Sequence, residues 1–65
     1  MTKQQEELLR SVLNVLSVAQ TMAQVDSVWS TVEAACRQAN INPGSKPTSV
    51  PQARSVANSL KRYLG

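Results

Sequence analysis

The apolar residues of this chain form a stripe that changes sides near residue 24. Those between Leu8 and Ala23 share, with one exception, a single broad helical face, and those between Val25 and Ala39 again share one face. At about 100° per residue, the second face is rotated by roughly 200° from the first. A straight helix would then carry apolar residues on two nearly opposite sides. The chain must either turn between the stripes, or stay straight and bury both sides against other chains.

The small size of the chain limits how it can be stabilised. A chain of 65 residues buries only about 60% of its extended surface, so small scaffolds usually need a disulfide, a metal or oligomerisation. A single cysteine, Cys36, excludes an intrachain disulfide. With no histidine and one cysteine, a zinc site of the usual kind has too few ligands. The chain must therefore be stabilised by oligomerisation or by very regular helix packing.

The first stripe predicts a helix near residues 3–24, which contains neither glycine nor proline. Thr2 is expected to cap it, because a threonine hydroxyl accepts hydrogen bonds from the free amides of a first helical turn. The stripe covers close to half of the helix circumference, which is wider than a surface helix needs. One short partner helix cannot cover it, so we expect this helix at the centre of the assembly.

The second stripe predicts a helix near residues 27–40, and its apolar spacing is the strongest periodic signal in the chain. Asp26 or Ser27 is expected to be its N-cap, which places the break at residues 24–27. No glycine or proline enforces that break. A continuous helix from Lys3 to Asn40 is therefore the structural alternative.

A proline-rich loop over residues 41–49 is expected to precede a third helix near residues 50–64. Three prolines and a Pro-Gly pair exclude helix continuation through this loop. Ser49 and Gln52 fit a capping box, and Gly65 stands where a C-terminal cap is expected. The apolar stripe of the third helix consists of Ala53, Val56, Ala57, Leu60, Tyr63 and Leu64.

These elements predict an all-α fold, a single small domain of a helical hairpin and a C-terminal helix that packs back across it. We expect a homodimer or higher oligomer, because the first helix presents more apolar surface than two short neighbours cover. Trp29 is interpreted as a core anchor, with an exposed binding hot spot as the alternative. The residues expected to form the protein interface are Leu9, Leu13, Leu16, Trp29 and Val32.

The net charge of +3 is unevenly distributed along the chain. Residues 1–36 carry a net charge of −2, whereas residues 37–65 carry +5 and no acidic residue. Such asymmetry is typical of proteins that bind nucleic acid or an acidic protein partner. It also fits a basic half that packs on the acidic half of the same or of another subunit. Two features argue against nucleic-acid binding. The positive charges are few, and the polar face has no aromatic residue on which bases could stack. The candidate contact residues are Arg37, Lys46, Arg54, Lys61 and Arg62.

The residues needed for catalysis are missing from the sequence. There is no histidine, the four acidic residues form no facing pair, and no base is placed to activate a serine. We therefore expect no enzymatic activity, no cofactor and no metal. Cys36 is expected to be a buried thiol that acts as a small apolar residue, and an intersubunit disulfide is the alternative.

The sequence contains no segment expected to enter a membrane. The apolar part of the first helix is interrupted by polar residues and is shorter than a bilayer requires. We expect no signal peptide, because Glu6 and Glu7 stand where a basic region would precede the apolar one. With a lone thiol, this indicates a cytoplasmic protein, inside the host cell if the source is a phage or virus.

Together these features predict a small non-enzymatic interaction module, regulatory, adaptor or inhibitory, that acts through helix packing. Its expected partners are a second copy of itself and another protein that the sequence does not identify. The alternative is a basic nucleic-acid-binding regulator that uses the C-terminal helix. A structural subunit of a larger assembly is a third interpretation, which the residues do not separate from the first.

Overall fold

The structure is a computed structural model that describes residues 1–64, and within them the chain forms three α-helices and no strand. The prediction of an all-α fold with three helices is confirmed. Gly65, the expected C-terminal cap, lies outside the described residues. The elements, in chain order, are α1 (Lys3–Ser17), α2 (Met22–Gln38), α3 (Val50–Lys61) and a 3-10 turn (Arg62–Leu64).

The chain turns between α1 and α2, but earlier than the sequence predicts. The four residues 18–21 connect the two helices, so the expected first helix over 3–24 ends at Ser17 and the expected second helix begins at Met22. Asp26 and Ser27 are interior residues of α2 and not its N-cap. The alternative of one continuous helix from Lys3 to Asn40 is wrong.

A capping box starts α2, and neither glycine nor proline is needed at the turn. The Thr21 hydroxyl accepts from the Gln24 amide at 3.2 Å, and the Gln24 side-chain oxygen accepts from the Thr21 and Gln20 amides at 3.4 and 2.7 Å. These bonds satisfy amides that a helix start leaves without partners. The same arrangement of Thr2 with Gln5 starts α1, as expected for Thr2. The Thr-x-x-Gln spacing at 21–24 was the sequence signal for the true start of α2.

Replacing Thr21 with alanine is expected to lower the free energy of unfolding by about 1 kcal/mol, because the first-turn amide of α2 loses its acceptor. Urea denaturation followed by circular dichroism measures the change. Ser30→Ala is the matched control, since Ser30 is exposed inside α2 and alanine is the better helix former there. Equal destabilisation by both substitutions would contradict a capping role for Thr21.

The end of α2 is set by Asn40, which adopts a left-handed conformation with φ of 59°. The Ile41 amide donates to the Cys36 carbonyl at 2.8 Å, and the Asn40 amide donates to the Arg37 carbonyl at 3.1 Å. This pair of bonds is a Schellman motif, in which asparagine takes the place of the usual glycine. The predicted helix over 27–40 therefore ends two residues early, at Gln38.

The connection between α2 and α3 is an ordered segment packed on the helices. Pro47 is fully buried, and the Lys46 ammonium lies 2.6 Å from the Asp26 carboxylate of α2. At its end, the Ser49 hydroxyl accepts from the Gln52 amide at 3.2 Å, as the capping-box prediction requires. The Gln52 side chain bonds to the amide and hydroxyl of Thr48 instead of the amide of Ser49. The loop is thus attached to α2 by Lys46, and its last residues cap α3.

Helix α1 lies between the other two and packs against both, whereas α2 and α3 touch each other little. The short connection brings α2 back beside α1, where Val15 and Thr31 line one groove. Helix α3 runs antiparallel to α1, because the Arg10 guanidinium contacts the Leu64 carbonyl while Arg54 reaches Ala19. Fully buried Ala53 and Ala57 place small side chains on the core face of the first two-thirds of α3, and Leu60 fills the core near its end. This arrangement explains why the stripe of α1 is so wide.

Candidate functional site: the surface at the helical turn and the outer face of α3

The five residues predicted to form a protein interface lie in the core of the chain itself. Four of them are fully buried and Trp29 is 4% exposed. The apolar stripe of α1 is therefore covered mainly by α2 and α3, and a partner has to meet other residues. The whole core consists of Leu9, Val12, Leu13, Leu16, Ala19, Val25, Trp29, Val32, Ala35, Cys36, Ala53, Ala57 and Leu60.

The largest apolar side chains left at the surface near the helical turn are valines. Val15 is 54% exposed and Val18 is 68% exposed. Val18 is the one apolar residue that does not share the face of the first stripe, and its position at the C-cap of α1 turns it away from the core. The apolar periodicity sets Val18 apart from the first stripe but does not indicate a role for it.

These valines border a groove of about 480 Å³ between the end of α1 and the first turns of α2. We call it the turn groove. Its floor and walls combine apolar groups with the uncharged polar side chains of α2, and no charged residue lines it. The lining residues are Val15, Val18, Ala19, Ala23, Gln24, Ser27, Val28 and Thr31.

Two of the five predicted basic contact residues are held by carboxylates. Arg37 lies 3.6 Å from Glu33 one turn earlier on α2, and Lys46 lies 2.6 Å from Asp26. Both pairs are exposed, so each contributes at most about 1 kcal/mol to stability. Their charge is nevertheless largely compensated locally, and neither residue adds to the basic surface of α3.

The other three basic residues lie on α3 and the turn that follows it, and none contacts an acidic side chain of residues 1–64. The Arg54 guanidinium donates to the Ala19 carbonyl at 3.2 Å, and the Lys61 ammonium donates to the Ser17 hydroxyl at 3.4 Å. Both acceptors are neutral, and they fix the two cations beside the end of α1. Arg62 is exposed. Within residues 1–64, α3 and its following turn thus carry three positive charges that contact no carboxylate side chain.

Tyr63 is exposed, although the sequence placed it on the buried stripe of the third helix. It lies at the edge of that stripe, and 66% of its surface remains accessible, whereas Leu64 packs against the core. Beside it a groove of about 440 Å³ runs between the turn at residues 42–44 and α3, which we call the loop groove. Its lining residues are Asn42, Pro43, Gly44, Gln52, Ser55, Val56, Ser59, Leu60 and Tyr63.

Cys36 is fully buried in the core, as expected for a thiol that acts as an apolar residue. Burial raises its pKa above the ordinary value, because the interior disfavours the thiolate. A thiol held in its neutral form inside the chain is a poor nucleophile, so the structure favours the packing interpretation over an intersubunit disulfide.

Residues 1–64 contain no cluster of three or more side chains suited to bind a metal ion. Within the same range, no helix has the length and apolar character needed to cross a bilayer. Comparison of the chain with protein-family models, curated proteins and solved structures finds no match.

Proposed function

We propose that the protein is a non-enzymatic helical interaction module that self-associates through the turn groove and acts as a small regulatory, adaptor or inhibitor protein. The observation that carries this proposal is the groove itself, an apolar and uncharged depression bordered by the exposed Val15 and Val18. Apolar surface of this kind gains free energy when a second apolar surface excludes water from it.

A second copy of the chain fits the turn groove because the same surface carries a projection and a depression. In a twofold symmetric dimer, each copy offers the same patch, so the patch must be complementary to itself. Val18 projects at the rim, and Val28 and Ala23 lie on the α2 side of the groove. In the proposed dimer, a rotation of 180° would place the Val18 side chain of each copy in the groove of the other.

The charge distribution also favours this surface for contact between copies. The chain carries a net charge of +3, so two copies repel each other at any face where the positive charge is concentrated. The outer end of α3 carries Arg62, and the loop side of α2 carries the ion pairs of Asp26 and Glu33. No charged residue lines the turn groove, so a contact confined to its lining avoids the cost of desolvating charges.

Replacing Val18 with aspartate tests the proposal. The side chain is already 68% exposed, so the substitution leaves the fold intact, but in the dimer it would bury an unpaired carboxylate. We expect the wild-type chain to sediment as a dimer at micromolar concentration and Val18→Asp to sediment as a monomer. The dissociation constant should rise by roughly 100-fold or more.

Gln4→Glu is the matched control for this experiment. It also adds one negative charge at an exposed position of α1, but Gln4 lies fourteen residues from Val18 near the opposite end of the helix. This variant should remain dimeric, and circular dichroism should show that both variants are folded. A folded monomeric wild type at all concentrations tested, or equal dissociation of both variants, would contradict the proposal.

A further inference from the structure

The end of α3 combines an exposed aromatic ring with cations that contact no acidic side chain in the described part of the chain. Tyr63 is 66% exposed, and with Arg62 and Ser59 it lines a shallow cleft of about 350 Å³. The tyrosine also forms part of the loop groove, so the ring lies between a cationic cleft and a largely uncharged one. The ring and the nearest cation are thus placed to meet one ligand together.

The chemistry of the loop groove suits a heteroaromatic base. The amide oxygens of Asn42 and Gln52 accept from Gly44 and Thr48, so these side chains offer their NH2 groups as donors. The hydroxyls of Ser55 and Ser59 can both donate and accept. Val56 and Pro43 contribute the apolar surface beside them. A flat ligand with polar edges meets both kinds of group, whereas an acidic peptide would find cations only at one end.

The cations extend along one side of the same helix. Arg54 and Lys61 lie two turns apart, about 10 Å along the axis, and each is held by a neutral oxygen of the α1 end. Because no acidic side chain of residues 1–64 compensates them, their charge is available to a polyanion. They lie on the flank of α3 that borders the end of α1, whereas Tyr63 and the loop groove lie on the other flank. Arg62 is the cation that lines a cleft together with the ring.

From this juxtaposition we infer that the outer face of α3 binds single-stranded nucleic acid, with Tyr63 stacking on a base and Arg62 contacting the adjoining phosphate. A single strand exposes its bases for stacking, and an aromatic ring beside a basic groove is the usual means of holding it. A duplex keeps its bases stacked internally, so Tyr63 would contribute nothing to its binding. This inference is independent of self-association, because none of these residues lines the turn groove.

The test measures fluorescence anisotropy of a labelled oligodeoxythymidine of about 12 nucleotides, in low salt, with a duplex of equal length as comparison. We expect the single strand to bind more tightly than the duplex. Tyr63→Ala should weaken binding by roughly 5- to 150-fold, the effect of losing one base-aromatic stack. Tyr63→Phe should retain binding, because phenylalanine preserves the ring.

Arg62→Ala should lower the slope of log affinity against log salt by about 0.7, the value for one phosphate contact on a single strand. Arg37→Ala is the matched control, since it removes one exposed positive charge that is already compensated on α2. No binding of the single strand in low salt would overturn the inference. So would wild-type affinity of Tyr63→Ala, or an equal change of slope for Arg37→Ala and Arg62→Ala.

Discussion

Replacing Leu13 with alanine is expected to lower the free energy of unfolding by about 2–5 kcal/mol. Leu13 is fully buried at the middle of α1, the helix against which both of the others pack. Shortening its isobutyl group to a methyl group leaves a cavity that the neighbouring helices on two sides fill only in part. Small domains have only about 5–15 kcal/mol of total stability, and about 1 kcal/mol shifts the melting temperature of a domain of this size by roughly 4–8 °C, so this variant should melt at least about 8 °C lower.

The matched control is Leu8→Ala, which makes the same change on the exposed side of α1. Its neighbour Leu9 is fully buried. Leu8 is 46% exposed, so its truncation should cost well under half as much. Thermal unfolding followed by circular dichroism at 222 nm gives both values. Similar losses of stability for the two variants would mean that α1 does not bury the face that carries Leu9 and Leu13.

Replacing Ala57 with leucine is expected to destabilise the fold by about 1–3 kcal/mol or more, although it adds apolar volume. Ala57 is fully buried where α3 packs on the core, and the close approach of α3 to α1 depends on small side chains there. Leucine would force α3 outward and disturb the bond between Arg54 and the Ala19 carbonyl, which is 3.2 Å long.

Ala34→Leu is the control for this substitution, because Ala34 is an exposed alanine inside α2. There the larger side chain has room, and leucine is nearly as good a helix former as alanine. The control should change the urea midpoint little, whereas Ala57→Leu should lower it clearly. An unchanged midpoint for Ala57→Leu would show that α3 has more space than its buried alanines indicate.

The sequence was sufficient for the class of fold, the number of helices and the start of α3. Those features follow from apolar periodicity, from prolines and from the capping residues Thr2 and Ser49, all of which act locally. The position of the first turn was missed because periodicity changes gradually, whereas the Thr21–Gln24 box fixes the helix start to a single residue.

What the sequence could not predict is which apolar residues remain outside. Both Leu13 and Val15 belong to the same broad stripe, yet one is fully buried and the other is 54% exposed. That difference depends on where α2 and α3 lie around α1, which is a tertiary property. The same holds for the basic residues. Lys46 forms an ion pair with Asp26 and Arg62 does not, and this difference depends on the fold and cannot be read from the sequence.

Self-association through the turn groove is tested most directly by nuclear Overhauser effects between two differently labelled copies of the chain. In a mixture of ¹³C-labelled and unlabelled protein, isotope filtering retains only contacts between copies. We expect cross-peaks from the Val18 methyl groups of one copy to Val28 and Ala23 of the other. The absence of such cross-peaks at millimolar concentration, or cross-peaks confined to α3, would contradict a dimer formed at the helical turn.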